Sequence, residues 1–486
     1  MSEGEKITKE QIKGVIHQAE NELLRCWEII AVLREGRVEN EVGKSPIDFQ
    51  PKLARTIFHL THWYRKLETE KKHRISTKQN YSEEWFAARM KFLSGQQDIV
   101  NRTIYIARGV GDAFAWFFYQ NDRHYLNEHL AQQEQPHTPP GIGGQGELEF
   151  TLRTNNIGGQ FVLYHGITSI LRLGDVTLID LKKHRVTCIG ELKSMSNKPG
   201  RIQVEAIFPV PDANQPLTFP KTPEENPNKH DAQVVENLSA KGRERLERQL
   251  RQISSSYEKL IDSADDTSHA QVSSLIEKLA NLVGKTKPNK FSVERISQSL
   301  LAVGFKKSRQ SLYNKLSESK SPSLEAKAAN IRSHVLELLI SDRTDNSLVI
   351  EPLYYDRSGK TSHIPGMTHF AWWPIDSSVI KKILFQEILV FTIHNPAYIV
   401  TTLEKAGYVV KETTPLNFSV EKTDQNYHVE IGGVSHFAMM VQRYFLSEDF
   451  IVFSLKEAEH YAKTQQPAWP LRVELLINQR FGIKPE

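Results

Sequence analysis

The chain has 486 residues, of which 39% are hydrophobic and 25% are charged, and its formal net charge is +4. This composition is typical of a soluble protein of two to four domains, and the charge is too small to indicate nucleic-acid binding except through a local patch. The chain shows neither a signal-peptide core nor an apolar run of about 18 residues, and its two cysteines, Cys26 and Cys188, are far apart, so we expect a cytoplasmic protein that contacts no membrane.

The first 95 residues predict a layer of helices. Apolar residues recur at spacings of three and four over residues 7–37, 51–77 and 82–108, the pattern of amphipathic helices. Helices of this length offer a surface for a second copy of the chain or for a partner subunit. We therefore expect any homo-oligomer or partner contact to form through this region.

Two glycines, Gly109 and Gly111, precede the aromatic run 114–119. Their spacing matches neither a phosphate-binding loop nor a dinucleotide fingerprint, so we interpret this stretch as the start of a helix. Asp112 would then lie in its first turn. The sequence leaves two roles open for Asp112, a carboxylate that stabilises the helix N-terminus and an acidic residue of a functional site.

Residues 132–146 are rich in proline, glycine and glutamine, which predicts a loop without regular structure. Residues 147–153 and 160–166 are interpreted as strands joined by a turn at residues 155–159. Glu149 would lie on the first of these strands. It is a candidate for a further acidic ligand and equally for an exposed strand residue.

The most informative stretch is a predicted hairpin, with strands at residues 173–180 and 186–193 around a basic turn. If the turn is centred on Lys183, Asp175 lies opposite Glu191, and Lys193 shares their face because strand side chains alternate. Two carboxylates this close repel each other unless one is protonated or a cation lies between them, and such oxygen ligands suit Mg²⁺ or Mn²⁺. The alternative is a surface hairpin with a cross-strand ion pair, although the apolar neighbours favour burial.

The order Gly-Asp, a spacer, then apolar-Glu-X-Lys resembles the active-site motif of the PD-(D/E)xK nuclease superfamily, which has the restriction-endonuclease-like fold. The resemblance covers residues 174–193 closely, with Gly174 in place of the superfamily's proline, and residues 96–215 by order of elements. It implies that Asp175, Glu191 and the backbone carbonyl of Leu192 bind a divalent metal and that Lys193 orients or activates the attacking water. It also implies an acidic residue on the preceding helix, for which Asp112 is the candidate.

A strand is predicted at residues 201–208, followed by a linker at 209–230 and a mostly helical region. In this region Arg243, Arg248 and Arg251 could face one way and neutralise nucleic-acid phosphates. Glutamates are interleaved with these arginines. The alternative is therefore a solvated helix with its own ion pairs.

A second basic cluster contains Lys306, Lys307 and Arg309. It follows a stretch at 293–303 that we interpret as a helix, and a glycine turn separates the two. Helix, turn and basic helix form the outline of a helix-turn-helix, whose second helix can enter the major groove of DNA. The same outline also fits an ordinary pair of helices with a basic face.

The last third predicts an α/β region. Strands are expected at residues 347–353, 388–393 and 450–453, and a helix at 396–406 should end at Gly407, as a C-cap glycine favours. This region could form a domain of its own or supply the remaining strands of the nuclease sheet.

Together these patterns predict a mixed α/β protein with an N-terminal helical layer and a helical insertion, and the resemblance implies a restriction-endonuclease-like mixed sheet flanked by helices. The expected regions are residues 1–95 (helical), 96–230 (nuclease-like core), 231–345 (helical, partly basic) and 346–486 (α/β). The expected activity is Mg²⁺-dependent or Mn²⁺-dependent hydrolysis of DNA by an endonuclease, with a role in restriction or phage defence by analogy. The alternative is a non-catalytic nucleic-acid-binding or assembly protein on the same fold.

Overall fold

The structure, a computed structural model, divides the chain into two compact units, residues 1–265 and 266–486, and each is described by itself. It describes residues 6–36, 46–133, 137–198, 201–208, 241, 244–246, 248–249, 253, 269–272, 275–308, 311–318, 338–339, 348–355, 368–414, 417–424, 427–431, 434–464 and 472–475.

Three long helices begin the first unit: α1 (Lys9–Arg34), α2 (Pro46–Ser76) and α3 (Glu83–Tyr119). Helix α1 starts with a capping box, in which Thr8 accepts a hydrogen bond from the backbone N–H of Gln11 and the Gln11 side chain accepts one from the backbone of Thr8. The apolar stripes of the three helices pack against one another. The helical layer predicted from the periodicity is confirmed.

Helix α3 corrects the interpretation of residues 109–119 as the start of a helix. It runs unbroken through both glycines, so Asp112 lies in its last third and not in a first turn. A Cβ atom on Gly111 would lie 1.9 Å from the backbone oxygen of Ile167. This glycine therefore lets the helix approach the turn at residues 165–167, which is a tertiary reason that local sequence patterns do not reveal.

Five antiparallel strands form one sheet in the order β1-β2-β3-β4-β5. Their bounds are β1 Asn156–Ile157, β2 Gln160–Tyr164, β3 Val176–Asp180, β4 Arg185–Lys198 and β5 Arg201–Ile207. The long strand β4 pairs with β3 through its first half and with β5 through its second half. The predicted turn at 155–159 and the predicted strands at 160–166, in the hairpin and at 201–208 are confirmed.

Two shorter helices lie beside this sheet, α4 (Arg123–Leu130) and α5 (Ile142–Arg153). Helix α5 replaces the predicted end of the loop and the predicted strand at 147–153, which were both wrong. Its glycines explain the difference, since Cβ atoms on Gly144 and Gly146 would meet Pro139 and Ser194 at 2.1 and 2.0 Å. Close packing of Gly146 against β4 and of Gly144 against Pro139 therefore outweighs the weak helix propensity of this stretch.

An aromatic cluster joins the helices to the sheet. The rings of Phe49 on α2 and Phe114 on α3 stack with centroids 4.0 Å apart, and Phe118 on α3 stacks on Phe161 of β2 at 4.9 Å. Phe49, Phe114, Phe118 and Phe161 are all buried. This layer fixes α3 over the strands that carry the candidate site.

The second unit contains strands β6 His269–Val272, β7 Phe291–Arg295, β8 Leu300–Lys306, β9 Val349–Pro352, β10 Ile388–His394, β11 Val409–Thr414, β12 Asn417–Asp424, β13 Tyr427–Ile431 and β14 Arg472–Leu475. They form three sheets, β7-β8-β10-β9, β11-β12-β13 and β14-β6. The described helices span Glu277–Lys285, Leu312–Glu318, Ser377–Leu384, Ala397–Lys405, Val434–Tyr444 and Asp449–Thr464.

Several predictions for this unit were wrong. The stretch 293–303 is not a helix but the hairpin of β7 and β8, which removes the predicted first helix of the helix-turn-helix. The region 231–345, predicted to be mostly helical, therefore also contains strands. Strand β8 is buried along almost its whole length, and periodicity alone cannot separate a continuously apolar strand from a buried helix. Likewise, residues 450–453 belong to a helix rather than a strand.

Other predictions for the last third were correct. Strands β9 and β10 occur at the predicted places, and the helix Ala397–Lys405 is followed by Gly407 with a φ of +88°. Among the described strands, however, none after β5 joins the sheet of the first unit, so of the two expectations for the last third only a separate set of strands is seen. The five described strands of the first sheet are all antiparallel, so the predicted mixed sheet was wrong for the described strands. The protein is a mixed α/β protein, and none of its described helices is long and apolar enough to cross a bilayer.

Candidate active site

The β3–β4 hairpin has the register that the sequence predicts at its open end. Val176 pairs with Gly190, so the next position places Asp175 beside Glu191, and the backbone N–H of Asp175 donates to the Gly190 carbonyl at 2.8 Å. Near the turn the pairing is Asp180 with Arg185, one residue out of step with the predicted centre. A bulge that leaves Thr187 without a pairing partner in the ladder restores the predicted register before the site.

The structure brings Asp175, Glu191 and Lys193 together. The two carboxyl groups share a hydrogen bond, and Lys193 Nζ lies 3.1 Å from Glu191 Oε2. Asp175 Oδ2 also accepts the backbone N–H of Leu192 at 2.8 Å. The glutamate side chain is only 4% exposed and the lysine 17%, so this is a partly buried cluster of charges and not a solvated ion pair.

The backbone carbonyl of Leu192 lies on the same edge. In an antiparallel ladder the N–H and C=O of one residue point to the same neighbouring strand, and the Leu192 N–H points to Asp175. Strand β3 begins at Val176, after the chain turns at Gly174 with a φ of +71°. The ladder geometry therefore directs the Leu192 carbonyl to the side of β4 on which Asp175 lies.

A third acid, Glu147, approaches from helix α5. Its Oε2 accepts a 2.5 Å hydrogen bond from the hydroxyl of Tyr164 on β2, and the charges of Asp175, Lys193 and Arg108 all act on it. Gly146, which precedes it, is the close-packing point of α5 on β4. The helix thus carries Glu147 to the edge of the sheet where the hairpin acids lie.

These acids have unusual proton affinities. Burial, together with the charge of Asp175, raises the pKa of Glu191 to about 8 despite the opposing charge of Lys193. Burial and the charge of Asp175 also raise the pKa of Glu147 to about 7, against the hydrogen bond from Tyr164. A site that holds several carboxylates at neutral pH needs either protons or a cation to offset their repulsion.

Behind the acids lies a chain of buried hydrogen bonds that begins at His129. The backbone N–H groups of Arg172 and Leu173 donate to His129 Nδ1 at 3.1 and 3.0 Å, so the ring proton is assigned to Nε2. That nitrogen donates to the hydroxyl of Tyr119, 3.1 Å away. Burial lowers the pKa of His129 well below its usual value, which keeps the ring neutral.

The chain continues from Tyr119 to His165. The Tyr119 hydroxyl donates to Thr177 Oγ1 at 2.7 Å, and the Thr177 hydroxyl donates to His165 Nε2 at 2.6 Å. His165 Nδ1 then donates to the Gly174 carbonyl at 3.0 Å, and its backbone N–H donates to the Asp175 carbonyl at 2.9 Å. Burial lowers the pKa of His165 to about 4. The network fixes the backbone on both sides of Gly174 and so positions Asp175.

The acids open into a cavity of about 130 Å³. Glu147, Asp175 and Glu191 line one part of it, and Arg108 and Arg172 line another. The remaining lining residues are Gln133, His137, Thr138, Pro139, His165, Gly166, Thr168, Ser169, Leu171, Gly174 and Gln249. The cavity therefore combines acidic groups that could hold a cation with basic groups that could hold an anion.

Asp112 does not line this cavity. Its carboxylate is fully buried in α3 and accepts hydrogen bonds from the backbone N–H and hydroxyl of Ser169, both at 2.5 Å, and from the N–H of Ile170 at 3.1 Å. Burial raises its pKa to about 6. Asp112 therefore supports the loop beneath the cavity, and the acid that a helix brings to the hairpin is Glu147.

The remaining predicted residues lie apart from these acids. Glu149 is on the other side of α5, where it forms an exposed ion pair with Arg153 at 2.8 Å. Lys306 pairs with Glu387 at 3.4 Å, and Lys307 is buried and donates to the Lys315 carbonyl at 2.9 Å. Since Lys307 is turned inward and the predicted first helix is a hairpin, this cluster does not form the expected helix-turn-helix surface.

The structure describes only some of the basic residues in the region that follows the linker at 209–230. Arg248 is exposed, whereas Arg243 and Arg251 lie outside the described residues. Arg309, from the second basic cluster, also lies outside them. The neighbouring Gln249 is described, and its Oε1 accepts a 3.1 Å hydrogen bond from Lys193 Nζ. Gln249 thus helps to orient the lysine.

The donor set fits a hard divalent cation. Carboxylates and a backbone carbonyl are the oxygen ligands that Mg²⁺ and Mn²⁺ prefer. Burial and then the charge of Asp175 raise the pKa values of Glu147 and Glu191, and a bound cation would offset both effects. Among the described residues, no three His, Cys, Asp or Glu side chains stand close enough to hold a metal ion by themselves. Asp175, Glu191 and the Leu192 carbonyl would hold it, with water completing the shell as is usual for Mg²⁺.

Sequence reasoning missed Glu147, Arg108, Arg172, His165 and Gln249. The strand interpretation of 147–153 placed Glu147 and Glu149 on the same face, because residues two apart share a face in a strand. In a helix the same two residues lie about 200° apart, so only one of them can face the site. A helix assignment would have separated Glu147 from Glu149. The other four residues carry no local signal, since only the fold brings them to the hairpin.

No protein-family model, no curated protein and no solved structure matches the chain.

Proposed function

We propose that the protein is a nuclease of the PD-(D/E)xK type that hydrolyses phosphodiester bonds with Mg²⁺ or Mn²⁺. The observation that carries the proposal is the convergence of Asp175, Glu191 and Lys193 at one end of the hairpin, in the order and register of that motif. Glu147 adds an acid from a helix that precedes the hairpin. The antiparallel strands β2, β3 and β4 follow that helix in the chain, and this order is compatible with a restriction-endonuclease-like core.

A bound divalent cation would polarise the scissile phosphate and lower the pKa of an attacking water. Asp175 and Glu191 would supply the negative charge that such a cation balances. A hydrogen bond from Tyr164 holds the Glu147 carboxyl, which lines the same cavity. Lys193, held by Glu191 and Gln249, orients the water or stabilises the negative charge that develops on the phosphate. The His129–His165 network holds Asp175 in place.

The proposed substrate is DNA, cut internally, and the proposed role is restriction or defence against phage. Arg108 and Arg172 support a polyanionic substrate, because they place positive charge in the same cavity as the acids. The role in defence rests on analogy with the motif alone. The first experiment should therefore identify which nucleic acid the protein cleaves.

The test incubates the wild-type protein with plasmid, linear duplex, single-stranded DNA and RNA, each with Mg²⁺, Mn²⁺ or EDTA. We expect cleavage of DNA with either metal and none with EDTA. Lys193→Ala should lower the rate at least a hundredfold, because its ammonium acts at the reacting phosphate. Lys182→Ala is the matched control, since Lys182 lies in the exposed turn of the same hairpin, and it should cleave like wild type.

The second candidate is a nucleic-acid-binding or assembly protein in which the acids have only a structural role. It is favoured by the Lys193–Glu191 ion pair, which already compensates part of the negative charge, and by the lack of three metal-binding side chains among the described residues. Calorimetry with Mn²⁺ separates the two. Binding that Asp175→Asn abolishes supports the nuclease, whereas no binding by the wild-type protein supports the structural role.

A further inference from the structure

Arg172 is a cavity arginine that forms no ion pair with the acids of the site. It lies three residues before Asp175 and lines the same cavity. In the described part of the chain its side chain forms hydrogen bonds only to backbone carbonyls, from Nε to Ser169 at 2.8 Å and from Nη1 to Gln132 at 3.1 Å. No carboxylate of the described residues pairs with it, although three carboxylates line the cavity.

The guanidinium is also rigidly held. The backbone N–H groups of Arg172 and of the next residue, Leu173, both donate to His129 Nδ1, so the main chain is fixed at the base of the side chain. The two carbonyls then fix its outer part. A guanidinium that is held in place before the ligand arrives loses little conformational entropy on binding.

The two hydrogen bonds leave the binding edge of the guanidinium available. An arginine has five N–H donors, one on Nε and two on each terminal nitrogen. The bonds to Ser169 and Gln132 use one donor on Nε and one on Nη1. One N–H on Nη1 and two on Nη2 are left, which is the pair of nitrogens that binds a phosphate through two parallel hydrogen bonds.

We propose that Arg172 binds a phosphate of the nucleic-acid backbone next to the phosphate that is cleaved. This inference rests on the proposed nuclease function, which places the reacting phosphate at Asp175 and Glu191. Arg108 is less suited to this role, because it is buried in α3 and its charge acts on Asp112 and Glu147. Arg172 therefore sets the register of the substrate strand along the cavity.

The test measures how the binding of a fluorescent DNA duplex depends on salt, in Ca²⁺, with the integrity of the DNA checked on a gel. One phosphate contact contributes about 0.9 to the slope of log K against log salt concentration. Arg172→Gln should reduce the slope by about that amount and weaken binding about tenfold or more. A role in holding the loop alone would not change the slope by a unit.

Two variants accompany this measurement. Arg153→Gln removes the same charge from an exposed position on α5, and it should leave the slope and affinity unchanged. Arg172→Lys keeps the charge but not the paired donors, so it should keep the slope and bind more weakly. If Arg172→Gln does not fold, the lysine variant carries the test, and wild-type affinity in that variant would overturn the inference.

Cleavage kinetics separate this inference from the function on which it rests. We expect Arg172→Gln to raise KM about tenfold with a smaller change in kcat, because the contact is made before the chemical step. Cleavage by the wild-type protein with an unchanged slope and KM in the variant overturns the role of Arg172 alone. If the wild-type protein neither binds nor cleaves DNA, both the nuclease function and the role of Arg172 are overturned. If it binds DNA without cleaving it, the nuclease function is overturned, and the salt slope decides whether Arg172 contacts a phosphate.

Discussion

Asp112 shows how a single side chain is reassigned once its surroundings are known. In the sequence it is an acid close to two glycines and a helix, which suits both a helix terminus and a site. In the structure its two oxygens accept three hydrogen bonds from Ser169 and Ile170 inside the core, and burial raises its pKa to about 6. It holds the loop that carries Arg172 and the chain leading to Asp175.

The raised pKa predicts a pH dependence of stability. The folded state holds the Asp112 proton more tightly than the unfolded state, whose pKa is near 3.8, so this contribution is complete below about pH 4 and is lost as pH rises to about 6. A shift of about two pKa units corresponds to about 3 kcal/mol. Asp112→Asn cannot titrate, and its amide can still accept from the backbone and donate to the Ser169 hydroxyl.

The measurement is denaturant unfolding of wild type and Asp112→Asn from pH 4 to pH 7. The difference between the two free energies of unfolding should move by about 3 kcal/mol in favour of the variant as pH rises. Taking the difference cancels the opposite effect of His129 and His165, which are neutral in the fold and gain protons on unfolding in acid. Asp48→Asn, at an exposed position, should give a difference below about 0.5 kcal/mol, and an equally flat profile for Asp112→Asn would contradict the prediction.

At the scale of elements, the site depends on how closely helix α5 packs on strand β4. A Cβ atom on Gly146 would lie 2.0 Å from Ser194 Oγ and 2.6 Å from Ser194 Cβ. Ser194 follows Lys193, and Glu147 follows Gly146, so the contact point joins two residues of the site. A larger side chain here must push the helix away from the strand.

Gly146→Ala should therefore destabilise the protein by about 1–3 kcal/mol, the usual cost of overpacking, and weaken Mn²⁺ binding because Glu147 is displaced. Thermal unfolding and calorimetry measure the two effects. Gly143→Ala is the matched control on the same helix, where the nearest atom is 3.9 Å away, and it should be neutral or slightly stabilising. Adding Ser194→Gly to Gly146→Ala should restore part of the loss, and equal behaviour of the two alanine variants would refute the packing argument.

At the scale of the whole molecule, every residue of the candidate site belongs to the first unit, 1–265. The acids, the arginines, the histidine network and Gln249 are all contributed by elements of this unit. The described strands of the second unit form sheets of their own. The metal site should therefore be a property of residues 1–265.

A fragment of residues 1–265 should accordingly bind Mn²⁺ with the affinity of the full chain, within about threefold. Circular dichroism checks that the fragment is folded, calorimetry measures the affinity, and the same fragment with Asp175→Asn is the negative control. A folded fragment that binds no metal, beside a full chain that does, would show that residues 266–486 contribute to the site.

Some elements of this protein follow from local sequence patterns, and others form only through tertiary packing. Local sequence patterns were sufficient to predict the helical layer, the hairpin and the proximity of Asp175, Glu191 and Lys193, because amphipathic periods and strand alternation are short-range consequences of side-chain geometry. Local patterns failed at α5, where Gly146 packs closely on β4, and at the β7–β8 hairpin, where β8 is buried along almost its whole length, because tertiary packing outweighs local propensity there.

Tertiary contacts alone determine which other residues join the hairpin. Glu147 reaches it through the packing of α5, and Gln249 is about fifty-six residues beyond Lys193 in the chain. His165 and Arg172 take their roles from backbone groups that a sequence does not display. Contacts over such separations depend on the whole fold, and so does the assignment of Asp112 to the core and of Arg172 to the cavity.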